Sequence, residues 1–283
     1  MNQLTPTLLA DGFVFLEGPR WHDGSLWVSD MWGFKVYRIS TTGAREVLFE
    51  LPERPSGLGF LPDGTPLVVS MANRKILKLV NGALVEHADL SAHAGGDCND
   101  MVIDAQGRAY VGNFGFDIFN GAPPKMANLV RVDPDGSTHV VAQELNFPNG
   151  AVLTNGGRTL VVAETFGNVL TAFDLAADGT LSNRRVWAAL GERTPDGICL
   201  DQDGAIWVAS FMTGEFVRVL EGGVVSDIVP VPGKAAVACQ LGGEDGRTLF
   251  CLTYKGTIED LHQGKAAGAI ETVRVNSPAA GSP

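Results

Sequence analysis

Six segments of the chain share one pattern, and that repetition limits the possible folds more than any other feature. Each has a small or polar residue, an alternating apolar run, a glycine-containing turn and a second strand-like run. They read EGPRWHDGSLWVSD from Glu17, SGLGFLPDGTPLVVS from Ser56, NDMVIDAQGRAYVGN from Asn99, NGAVLTNGGRTLVVAE from Asn149, DGICLDQDGAIWVAS from Asp196 and ACQLGGEDGRTLFCLT from Ala238. Their turn glycines are Gly24, Gly64, Gly107, Gly157, Gly204 and Gly246. The spacing, about 40 to 50 residues, is the length of a four-stranded propeller blade. Further strand-like stretches (KVYRI, KILKLV, NLVRVD, LTAFDL, FVRVLEGG) follow the first five hairpins, and no long amphipathic helix is evident. A β-sandwich of similar hairpins would not need six equivalent units. The pattern therefore predicts an all-β chain: a six-bladed β-propeller of four-stranded antiparallel blades around a central channel. One domain spans residues 1–275, and the small, Pro-containing tail 276–283 is expected to be flexible.

Composition narrows the partners. Hydrophobic residues make up 45% of the chain and charged residues 19%, so a sizeable core is expected and disorder is not. A formal net charge of −11, scattered along the chain, would repel a phosphate backbone, so no nucleic-acid partner is expected. No apolar stretch is long enough for a membrane span, and none at the N-terminus reads as a signal peptide. Cys98, Cys199, Cys239 and Cys251 lack CxxC spacing. Reduced thiols in a cytoplasmic protein are the expectation.

Aligned on their turns, the repeats open with Glu17, Ser56, Asn99, Asn149, Asp196 and Ala238. The first strand of a propeller blade lines the channel, so these positions form a ring at one mouth. Four of them carry Asp, Glu or Asn oxygens. Grouping such side chains on a channel axis is costly unless a cation or hydrogen bonds compensate. An all-oxygen set suits a hard divalent cation. Caps on strand starts are the plainer reading for any one residue, but not for four in one register. The second strand returns to the same mouth, where Trp32, Met71, Phe114, Phe116, Phe166, Phe211, Met212 and Tyr254 would make an apolar collar over the cation, shared between pocket and inter-blade packing.

The segments EGPRW at Glu17, CNDMVID around Asn99, FPNG around Asn149 and TPDGICLD around Asp196, in this order and at blade spacing, resemble the senescence-marker-protein / gluconolactonase / regucalcin family of six-bladed propellers. The resemblance covers nearly the whole chain. It implies hydrolysis of a small lactone with one divalent metal ion but does not fix which; Ca²⁺ is expected first, with Zn²⁺, Mn²⁺ or Mg²⁺ as alternatives. It also implies Glu17, Asn149 and Asp196 as ligands, with Asn99 touching metal or substrate. Sugar-lactone members carry an arginine two residues before this asparagine; here the position is Asp97, an acceptor of opposite charge. A sugar lactone and a more apolar γ- or δ-lactone both remain open as substrate.

The chemistry expected is metal-assisted ester hydrolysis, with Asp196 as general base, unless the cation alone makes the water nucleophilic enough. No GxSxG elbow supports a serine mechanism. The competing reading is a non-catalytic, calcium-binding regulatory propeller of the regucalcin type.

Overall fold

The computed structural model describes residues 1–281. It is a six-bladed β-propeller, each blade a twisted antiparallel sheet whose first strand is innermost. Blade one comprises Leu16–His22, Ser25–Asp30, Lys35–Ile39 and Arg45–Glu50, and blade two Pro55–Phe60, Pro66–Ser70, Lys75–Val80 and Ala83–Asp89. Blade three is Cys98–Ile103, Ala109–Asn113, Ala127–Val132 and Thr138–Leu145. Blade four is Pro148–Thr154, Thr159–Glu164, Val169–Leu175 and Leu181–Ala189. Blade five is Pro195–Leu200, Ile206–Ser210, Glu215–Val219 and Val225–Pro230, with the short strand Asn2–Gln3 added in parallel at its edge. The six turn glycines all have positive φ, as the tight hairpin between first and second strands requires.

Blade six is closed by the other end of the chain. Ala235–Gly242, Thr248–Tyr254 and Gly268–Arg274 run consecutively, but the outer strand is Thr7–Phe13, antiparallel to Gly268–Arg274. The last blade is thereby tied to the first by an ordinary sheet ladder. Of the tail 276–283, expected to be flexible, residues 282 and 283 lie outside the described residues, and Ala279 and Ala280 are tied to blade five. Ala279 bridges Asp201, and Ala280 donates its backbone N–H to the Leu200 carbonyl.

Apolar side chains between neighbouring sheets form the core; Trp207, Tyr110, Phe216 and Phe250 are among the largest fully buried ones. One irregularity recurs in every blade. Each first strand shifts register against its partner at the ring position, between Glu17 and Arg20, Pro55 and Leu58, Cys98 and Met101, Pro148 and Ala151, Pro195 and Ile198, and Ala236 and Ala238. Such a bulge bends the strand and re-aims one side chain, which is how a polar residue turns toward the axis within an otherwise apolar strand.

Candidate functional site

Glu17, Asn99, Asn149 and Asp196 stand at these register shifts, all at most 6% exposed. Close backbone approach brings Asn149 to Asp196. A Cβ on Gly150 would lie 2.7 Å from the Asp196 carbonyl oxygen, so only glycine after Asn149 lets the first strand of blade five come so near. The Asn149 side chain then donates Nδ2–H to Asp196 Oδ1 at 2.5 Å and to Thr165 Oγ1 at 3.3 Å, while Thr165 donates to the Pro195 carbonyl at 2.8 Å. That fixes the amide's orientation. Its oxygen, Asn149 Oδ1, is buried and has no hydrogen-bond partner among the described residues. Asn99 Nδ2 and Ser56 Oγ are buried and unpartnered in the same way. Glu17 Oε2 accepts only the long bond, 3.3 Å, from the Gly18 N–H.

Charge is concentrated here. Burial pushes the Glu17 carboxyl well above its ordinary range, and the nearby Asp196 and Asp100 push it further. Asp196 is also raised well above its usual value, first by burial, against which the Asn149 hydrogen bond acts, and then by Asp100. An unpartnered buried amide oxygen next to Asp196, with Glu17 within electrostatic reach of that carboxylate, is a donor arrangement that a cation would satisfy. No cluster of three or more His, Cys, Asp or Glu side chains with metal-binding geometry occurs among the described residues. The donor set here is instead two carboxylates and an amide oxygen, which fits a hard divalent ion.

The collar divides by burial. Phe114 and Phe116 are buried around Phe147, whose ring stacks on Phe114 at a centroid distance of 4.4 Å. Tyr254 is buried beside Phe15, and its hydroxyl donates to the Thr257 carbonyl. Together with Phe211 these two line a cleft of about 560 Å³ at the mouth. Trp32 is half-buried, between Phe119 and His262. Met71 is fully buried in the core, whereas Phe166 and Met212 are exposed at the rim.

Asp97, expected as an acceptor, is engaged in an ion pair. Arg54, two residues before Ser56, places Nη2 2.5 Å from Asp97 Oδ2. Its guanidinium also lies over the Trp32 ring at 4.9 Å and the Phe119 ring at 4.4 Å. Burial raises the Asp97 carboxyl and Arg54 partly offsets this. The wall therefore carries a neutral pair rather than an added negative charge. Phe15, Arg54 and Phe147 went unnoticed in the sequence, yet they sit two residues before Glu17, Ser56 and Asn149, as Asp97 does before Asn99. The two-residue period of a strand was the available signal.

All four cysteines are buried and free, and burial pushes the Cys98 thiol up to about 12. No helix among the described residues is long and apolar enough to cross a membrane.

Residues 15–255 match the family model described as SMP-30/Gluconolactonase/LRE-like region. A 6-deoxy-6-sulfogluconolactonase from Pseudomonas putida is 24% identical, covering 100% of this chain and 99% of that one. A pentonolactonase from Haloferax volcanii is 27% identical over 94% of this chain and 92% of its own. Among solved structures, a calcium-binding protein, regucalcin, from Agrobacterium tumefaciens superposes with a TM-score of 0.82 at 20% identity, covering 100% of this chain and 98% of that one; this likeness concerns the fold.

Proposed function

Because the chain belongs to the SMP-30/gluconolactonase/LRE-like family, we propose that it hydrolyses the ester bond of a small lactone to the hydroxy acid, using one divalent cation held by Glu17, Asn149 and Asp196. The observation that carries this reading is the buried, unpartnered Asn149 Oδ1 on an amide bonded to the Asp196 carboxylate. Lactonases among its relatives favour the ester chemistry, and Ca²⁺ is the first candidate ion because the donors are hard oxygens.

When bound, the cation would polarise the lactone carbonyl and stabilise the developing oxyanion. The chain's own groups do the rest. Asp196 has one oxygen occupied by Asn149, which leaves Oδ2 to accept a proton from the attacking water. The same proton then serves the ring oxygen as the ester bond breaks, so lactone and water give one hydroxy acid. Glu17 balances charge as a ligand. Asn99 presents Nδ2–H to a substrate oxygen, and the collar keeps bulk water out.

Arg54 and Asp97 would present a neutral donor and acceptor to substituents on the lactone ring. Arg54→Gln is expected to raise KM about tenfold for a hydroxylated lactone, the order of one lost charge-assisted hydrogen bond, with kcat nearly unchanged. Steady-state kinetics on a hydroxylated and an unsubstituted lactone check this; an equal effect on both removes the pair from substrate binding.

A panel of sugar and aliphatic γ- and δ-lactones, followed by acid release, tests the main reading. Chelated protein should be inactive, and Ca²⁺, Mn²⁺, Mg²⁺ or Zn²⁺ should restore turnover. If the ion binds and no lactone opens with any of the four, the calcium-binding regulatory reading replaces the hydrolytic one.

A further inference from the structure

Four of the six ring residues are followed by glycine: Gly18, Gly57, Gly150 and Gly197. Blade three has Asp100 instead, 3% exposed. Its carboxylate fits against blade two, where a Cβ on Gly57 would come within 2.9 Å of Asp100 Oδ1. The group that meets it comes from blade one. Arg20, 5% exposed, donates from Nη2 to Asp100 Oδ1 at 2.7 Å and to the Met101 carbonyl, and from Nη1 to the Pro19 carbonyl at 2.7 Å. Blades one and three are not neighbours, so the side chain passes in front of blade two. Arg20 also lines the narrow channel below, with Val102, Leu153, Leu200 and Gln240.

Three buried carboxylates, Glu17, Asp100 and Asp196, thus share the channel with one guanidinium. A buried charge of −3 beside a divalent ion would leave a unit of negative charge uncompensated, whereas −2 matches it. We infer that Arg20 is a positioning residue for the cation pocket: by cancelling Asp100 from below, it sets the formal charge at −2 and so the preference for a doubly over a triply charged ion. The inference rests on the cation reading above, with Glu17, Asn149 and Asp196 as the ligands. The structural rival is a latch between blades one and three with no influence on the ion.

Calorimetric titration of the chelator-stripped full chain with Ca²⁺ and with Tb³⁺, which is close to it in radius, separates the two. Arg20→Met should raise the ratio of Tb³⁺ to Ca²⁺ affinity at least about tenfold, the order one unit charge produces over a few ångströms at an effective dielectric of ~20. Adding Asp100→Asn to Arg20→Met restores −2 and should return the ratio to within about threefold of wild type. Asp100→Asn alone leaves −1 and should move the ratio the other way, which keeps the test decisive if Arg20→Met fails to fold. A ratio unchanged in the folded variants, whatever happens to their melting temperatures, overturns the inference and leaves the latch. A wild-type chain that takes up neither ion removes the cation site, and this inference with it.

Discussion

Replacing Asp196 by alanine is expected to lower kcat for lactone opening by about 10²–10⁴-fold, the usual contribution of a positioned general base. The loss should be larger than that of any collar substitution, because this carboxylate, proposed as both ligand and base, also anchors the Asn149 amide. Alanine removes all three roles together, so Asp196→Asn is the informative companion. It keeps the volume and an oxygen that can accept from Asn149 Nδ2, but it cannot take a proton. If the base role is right, Asp196→Asn retains a near-native circular dichroism spectrum and melting temperature and still loses turnover. Wild-type rates in Asp196→Asn would take Asp196 out of the proton transfer and leave it as a ligand.

The second large effect is on stability. Glu17 and Asp196 both titrate above their ordinary ranges in the folded, ion-free chain, because burial and neighbouring carboxylates disfavour their charged forms. A raised carboxyl pKa means the folded state binds more protons than the unfolded state between the two values. Stability from these groups is therefore full below the unfolded carboxyl range, near pH ~4, and is lost as the pH rises toward the folded values. A divalent ion reverses the sign by stabilising the ionised pair. The chelated protein should melt at progressively lower temperature from about pH 5 to pH 8. Ca²⁺ at about a hundred times its Kd should add ~2.7 kcal/mol at the upper end, or about 5 °C for a domain of this size. Asp97 and Asp100 are raised by burial as well, so the slope is assigned with Glu17→Gln, which should flatten it. A melting temperature of the chelated wild type that rises over this pH window would contradict the burial of an unpaired pair of charges.

Much of the architecture was legible because a blade is a local object. A hairpin's turn glycine and its alternating strands lie within about fifteen residues of one another, and six copies leave little choice of fold. The ring followed from the same register; within it Asn149 bonds Asp196, and the Asp196 charge acts on Glu17. What stayed hidden depends on which side chains meet across blades. Arg54 and Asp97 are separated by 43 residues, and the Arg20–Asp100 hydrogen bond spans 80. Taken singly, Asp97 reads as an acceptor, and nothing in the sequence pairs it with Arg54 or Asp100 with Arg20. Thr165, which orients the Asn149 amide, lies just past the second strand of blade four, where the repeat pattern ends. The tail gave a composition suggestive of mobility, while at Ala279 its backbone pairs with the hairpin end at Asp201, which composition alone does not encode.

The seam in blade six bears on how the chain is made. The strand Thr7–Phe13 emerges early, but its partner Gly268–Arg274 follows about 250 residues later. At ~5–20 residues per second, this first strand stays without its ladder for tens of seconds on the ribosome. Blades one to five can mature in order meanwhile, yet the ring cannot close until Gly268–Arg274 has been made. Linking the segment after Arg274 to the one before Thr7 and opening the chain in the loop after Glu50 would make the split blade contiguous and change the order in which it assembles, while keeping the same strand ladders.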